Sequence, residues 1–81
     1  MMGPKKRSIM LWGHATSVTL EPLFWEQLGT MARQEGVSLA QLIQNVDSDR
    51  SGNLSSTLRV LVVKNLLTNL EKYVRVSKDD T

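Results

Sequence analysis

Residues 16 to 20 read Thr-Ser-Val-Thr-Leu, a β-branched alternating run in a chain whose remaining apolar residues mostly recur at helical spacing. Alternation sets Thr16, Val18 and Leu20 on one face and Ala15, Ser17 and Thr19 on the other, so a short half-buried strand is expected over about residues 15–20. No convincing second strand follows residue 20. A lone strand leaves its backbone donors and acceptors unpaired, and the fold must supply a partner for it. Ile9 and Leu11 also alternate and Gly13 offers a bend, so residues 8–12 can extend or back the strand. A copy of the chain is the other source. Pairing across a twofold axis would turn Val18 and Leu20 onto the helices and leave Ala15, Ser17 and Thr19 outward on a two-stranded antiparallel ribbon.

Three helices are expected after the strand. Glu21-Pro22 suits a helix start, because proline in a first turn forfeits no hydrogen bond and an acid there complements the N-terminal partial charge. Phe24, Leu28, Met31 and Ala32 then recur at helical spacing and Gly36 stops the run, giving helix A over about 21–35. Trp25 sits beside that stripe and reads as a packing residue. Ser38 is placed to cap helix B, about 38–47, whose apolar set is Leu39, Leu42, Ile43 and Val46. After the turn-forming run 47–53, Asn53 or Ser55 can cap helix C, about 54–74. Its apolar residues Leu58, Val60, Leu61, Val62, Val63, Leu66, Leu67 and Leu70 cover more than one stripe, so this helix is expected to bury more than one flank. Residues 1–7, with a Gly-Pro pair and the bases Lys5, Lys6 and Arg7, have the composition of a mobile basic arm. Residues 8–76 then form a single domain and 77–81 a flexible tail.

Composition closes off most chemistry. The 81 residues include no cysteine and one histidine, His14, which leaves no disulfide, no thiolate metal site and no thiol nucleophile. A core this small supplies only about 3 to 5 kcal/mol, and association of copies is the remaining way to reinforce it. Asp47-Ser48-Asp49-Arg50-Ser51-Gly52 copies the opening of a calcium-binding EF-hand loop, but its twelfth position is Leu58 where the bidentate carboxylate belongs, so no metal is expected. No glycine-rich phosphate loop or acid-base constellation is present, and an enzyme is not expected. No cofactor is implied either. The apolar stretch Ile9 to Trp12 is too short for a signal peptide or a membrane span, which points to the cytoplasm.

The charge is unevenly placed. Residues 1–20 carry three bases and no acid, 21–49 carry Arg33 against five acids, and 50–78 carry six bases against Glu71. Basic ends around an acidic middle point to an anionic partner more strongly than the net charge of +2 does.

Val18-Thr19-Leu20-Glu21, Phe24, Leu28, the Gly36-Val37-Ser38-Leu39 junction and Ile43 resemble the strand, first helix, inter-helix turn and second helix of the ribbon-helix-helix superfamily, which includes the Arc and MetJ repressors. Lys6-Arg7-Ser8, Gly13-His14, Thr16-Ser17-Val18, Leu20-Glu21, Phe24-Trp25, Asn53-Leu54-Ser55-Ser56 and Leu58-Arg59 look more closely like a bacterial subfamily with a longer lead and a third helix. The resemblance spans about residues 5–65. It implies a mainly α fold, an intertwined homodimer with an intermolecular ribbon plus a C-terminal helix. It also implies a sequence-specific, nucleoid-associated regulator, typically a repressor, that puts the ribbon into the major groove of double-stranded DNA.

On that resemblance the base-reading residues are Ala15, Ser17 and Thr19, with alanine standing where the subfamily usually carries arginine. Phosphates would be held by Lys5, Lys6, Arg7 and the start of helix B at Ser38 and Leu39, where free amides and the helix dipole favour an anion. The dimer core would comprise Val18, Leu20, Phe24, Leu28, Leu42 and Ile43. The rival reading is a dimeric protein-interaction module of the same fold, antitoxin-like or an adaptor, that holds a protein partner on helix C.

Overall fold

The computed structural model describes residues 3–47 and 53–79. It contains two strands, β1 (Lys5–Leu11) and β2 (His14–Leu20), followed by three helices, α1 (Pro22–Glu35), α2 (Leu39–Asp47) and α3 (Leu54–Asp79). The calcium-like run falls largely on residues 48–52, outside the described residues.

The partner strand comes from the same chain. β1 pairs antiparallel with β2 in a register running from Lys5 opposite Leu20 to Leu11 opposite His14. Trp12 and Gly13 form a two-residue connection with both φ angles positive, 49° and 79°. Those signs match a primed hairpin turn, whose twist agrees with that of the flanking strands. Glycine takes this conformation freely, whereas tryptophan is strained in it, so Gly13 gives the turn and Trp12 tolerates it. The Trp12 amide donates to the Gln44 side-chain oxygen at 3.0 Å, which ties the turn to α2.

One expectation changes here. Lys5, Lys6 and Arg7 belong to β1 and are not a mobile arm. Within the chain the two-stranded antiparallel sheet is a hairpin of β1 and β2. Trp25 explains why the basic segment is ordered. Its indole N–H donates to the Lys5 carbonyl at 2.9 Å, and the Arg7 guanidinium lies 5.2 Å above the centre of its ring. A cation over an indole face is attracted by the ring quadrupole, so the charge of Arg7 is used in holding β1 down. Trp25→Phe keeps an aromatic ring and removes the hydrogen bond. It is expected to lower stability by about 1 kcal/mol and to speed amide exchange in β1, read by thermal melts and hydrogen exchange.

The helices lie on one face of the hairpin. Leu11, Val18 and Leu20 from the strands pack with Trp25, Leu28, Met31 and Ala32 of α1, Leu42 and Ile43 of α2, and Leu58 and Val62 of α3. Trp25, rather than the half-buried Phe24, leads the buried stripe of α1. The residues expected in a shared dimer core are thus enclosed within a single chain, with Phe24 at the margin.

Local capping follows the sequence. Gly36 sits in the left-handed region with φ 73°, and the amides of Gly36 and Val37 return to the Arg33 and Ala32 carbonyls. This closes α1 and turns the chain toward α2. Ser38 Oγ accepts the Gln41 amide at 3.1 Å, and Asn53 Oδ1 accepts that of Ser56 at 3.2 Å. Both are N-caps, and Asn53, not Ser55, is the one that starts α3.

Glu21 at the β2–α1 junction meets Arg59 of α3 through two hydrogen bonds, of 2.9 Å and 3.3 Å. The bonded guanidinium lowers the Glu21 pKa from its ordinary value. A carboxyl whose pKa falls on folding stabilises the fold above its unfolded value and loses that contribution as the pH drops through the folded one. The clamp is therefore present at neutral pH and released in acid.

α3 is longer than its sequence pattern suggests, continuing through residues 75–79, so residues 77–79 are helical and not tail. Within the chain it buries one flank. Leu58 and Val62 are enclosed and Leu54 and Leu61 lie against the core, while Val60, Val63, Leu66, Leu67 and Leu70 face outward.

Candidate nucleic-acid interface

Because the helices cover only one side of the hairpin, its other side is open. Directly opposed residues of an antiparallel pair point to the same side, so the register brings Thr19 beside Lys6, Ser17 beside Ser8 and Ala15 beside Met10. All six are exposed. Val18 and Leu20, the inward neighbours, are buried. The face carries one cation, three hydroxyls, a flexible thioether and a methyl group, and no acid.

Of the three expected base-reading residues, the structure places Ala15, Ser17 and Thr19 together on this face. The three expected phosphate contacts on β1 divide. Lys6 lies on the open face beside Thr19, whereas Lys5 and Arg7 alternate to the helix side, where Arg7 covers Trp25. Ser38 and Leu39 stand elsewhere, at the start of α2. Gln44, which meets the hairpin turn, is five residues beyond Leu39, or about 8 Å along the helix. Ser38 is exposed, and the Leu39 side chain packs against the core, so only the Leu39 amide is available to an anion.

Ser8 and Met10 are face residues that sequence reasoning did not single out. Their signal lies in the alternation of Lys6, Ser8 and Met10 with Arg7, Ile9 and Leu11, but the cluster of bases obscures it. His14 closes the hairpin opposite Leu11 and is exposed.

The ribbon also has free edges. A two-residue turn makes Leu11 and His14 a hydrogen-bonded pair, and the alternation of the ladder then directs the backbone groups of Ala15, Ser17 and Thr19 away from β1. β2 can therefore accept another strand along residues 15–19 without giving up its pairing to β1.

Among the described residues, no group of three or more His, Cys, Asp or Glu side chains is placed to hold a metal. No described helix is long and apolar enough to cross a membrane.

Comparison with known proteins agrees with this geometry. The model of the ribbon-helix-helix domain matches residues 4–66. A solved structure, that of an uncharacterized protein from Bordetella pertussis Tohama I, superposes with a TM-score of 0.75 at 32% identity and covers 88% of this chain. The chain spans 62% of the length of that protein. No curated protein matches. Ribbon-helix-helix domains are commonly DNA-binding regulators or antitoxins, and members that bind DNA do so as dimers. With a two-stranded antiparallel ribbon leading into three helices, and the family model matching most of its length, the chain belongs to the ribbon-helix-helix domain family.

Proposed function

We propose that the chain is a homodimeric, sequence-specific DNA-binding transcriptional regulator of bacterial type that reads the major groove with its ribbon. The observation that carries this reading is the open hairpin face, acid-free and lined by side chains that can meet base edges or phosphates. Residues 1–20 add three positive charges and no negative one on the same element.

In the dimer, two β2 strands pair along the free edges at residues 15–19, so that Ser17 lies at the twofold. The two central strands then present Ala15, Ser17 and Thr19 to the bases. The flanking β1 strands lie about 7 Å from the axis, given a strand spacing of about 4.8 Å. The groove is about 12 Å wide, so these strands ride over its phosphate walls with Lys6 toward them. The α2 start at Ser38 and Leu39 offers free amides to a further phosphate. Thr19 and Ser17 can donate or accept hydrogen bonds, and the Thr19 methyl can meet a thymine methyl.

Ala15→Arg and Lys6→Ala test this assignment together, by titration against duplexes over a range of salt. Arginine at position 15 is expected to raise affinity and shift preference toward guanine, the base it grips through two acceptors. Lys6→Ala is expected to weaken all duplexes alike and to flatten the salt dependence by about one counterion for each lysine lost. The rival interaction module predicts no change in DNA binding from either variant.

A further inference from the structure

α3 leaves a second apolar flank exposed. From Val60 onward four of its five outward apolar residues, Val60, Val63, Leu67 and Leu70, are spaced three, four and three apart with Leu66 beside them, and the sequence continues the spacing to Val74. That is the repeat of a two-helix seam, with Val60 and Leu67 in the first apolar position of each heptad and Val63 and Leu70 in the fourth. Val60, Val63, Leu67 and Leu70 are 52%, 47%, 55% and 57% exposed, so no described residue covers the seam. They lie on the flank away from Leu58 and Val62, which hold α3 to its own core. Beyond Val62 no described side chain of α3 is buried, yet the helix runs on to Asp79. A helical extension of about four turns, rich in β-branched residues and asparagine, is marginal in water without a packing partner.

We propose that this seam pairs antiparallel with α3 of a second copy of the chain. Self-complementary charge selects both occupant and direction. Flanking the seam, Lys64 and Glu71 occupy equivalent positions one heptad apart. In an antiparallel pair with Leu67 facing Leu70 of the copy, Lys64 of each copy lies beside Glu71 of the other, giving two opposite-charge contacts. Sliding the pair by one heptad would place Lys64 against Lys64. A parallel pair would set Arg59 beside Lys64 of the copy and use Glu71 for no charge contact. Like charges at such flanking positions select against a register or orientation. An apolar seam also excludes DNA as its occupant. Leu67 and Leu70 lie beyond residue 66, where the match to the family domain ends. The seam is separate from the edge of β2.

The charges provide a test that leaves the cores intact, because Lys64 and Glu71 are exposed. Lys64→Glu and Glu71→Lys, each alone, convert both contacts to repulsions and are expected to weaken self-association several-fold in sedimentation equilibrium. The two together restore it. Single changes without effect, or a double variant no better than the singles, would overturn the pairing. Direction is read by cross-linking, since the chain has no cysteine of its own. When Leu67→Cys and Leu70→Cys copies are mixed and oxidised, the disulfide between unlike copies is expected to dominate. Predominance of like-with-like disulfides, or no cross-link, would contradict an antiparallel seam.

Discussion

Leu20→Asp is expected to leave the chain unfolded. Leu20 is completely buried at the end of β2, where the ribbon meets the helices. Removing a buried leucine side chain alone costs about 2 to 5 kcal/mol. The aspartate adds an unpaired charge with no partner in an apolar site, while a core of this size supplies only about 3 to 5 kcal/mol in total. Circular dichroism should show neither native helix content nor a cooperative melt. Thr19→Asp, one residue earlier and on the open face, is the control and should fold. If Leu20→Asp melted like the parent and Thr19→Asp unfolded, the two faces of β2 would be reversed, because a shift of one residue exchanges every side chain between core and solvent.

The second large effect concerns recognition. Ser17→Ala combined with Thr19→Ala removes hydroxyls from the two strands that the proposed dimer sets over the bases. The preferred duplex should lose about 1 to 3 kcal/mol for each base contact broken, whereas random duplex should lose little, since phosphate contacts hold it. Competition titration of the two duplexes separates these losses. Equal loss on both would make the hydroxyls general contacts instead of readers.

Much of this architecture is legible in the sequence because its signals are local. The alternation of Thr16, Val18 and Leu20 against Ala15, Ser17 and Thr19 gives the strand and its faces. Gly36, Ser38 and Asn53 mark helix ends through short-range hydrogen bonds that need no knowledge of the tertiary fold. What the sequence conceals depends on contacts between distant residues. Order in Lys5 to Arg7 comes from Trp25, 20 residues away from the carbonyl it binds. With that contact unseen, three adjacent bases after a Gly-Pro pair read as an arm, and β2 lacks a full partner in its own chain. Distance in sequence likewise hides that the Arg7 guanidinium lies over the Trp25 ring. In α3 the apolar residues are visible, but a sequence does not state which of two stripes its own core will take. The core takes Leu58 and Val62 and leaves Val60, Val63, Leu67 and Leu70 outward. The alternation of Lys6, Ser8 and Met10 with Arg7, Ile9 and Leu11 is local, but only the register with β2 sets Ser8 and Met10 beside Ser17 and Ala15 on the open face.

The central claim is that a dimeric ribbon reads DNA sequence. Selection of bound duplexes from a random pool by the full chain, followed by titration of the winners at several salt concentrations, tests it most directly. Twofold symmetry predicts enrichment of a palindromic site, and phosphate contact predicts affinity that falls steeply with salt. A folded protein that enriches no sequence and shows no salt-dependent retention on duplex DNA would contradict the account.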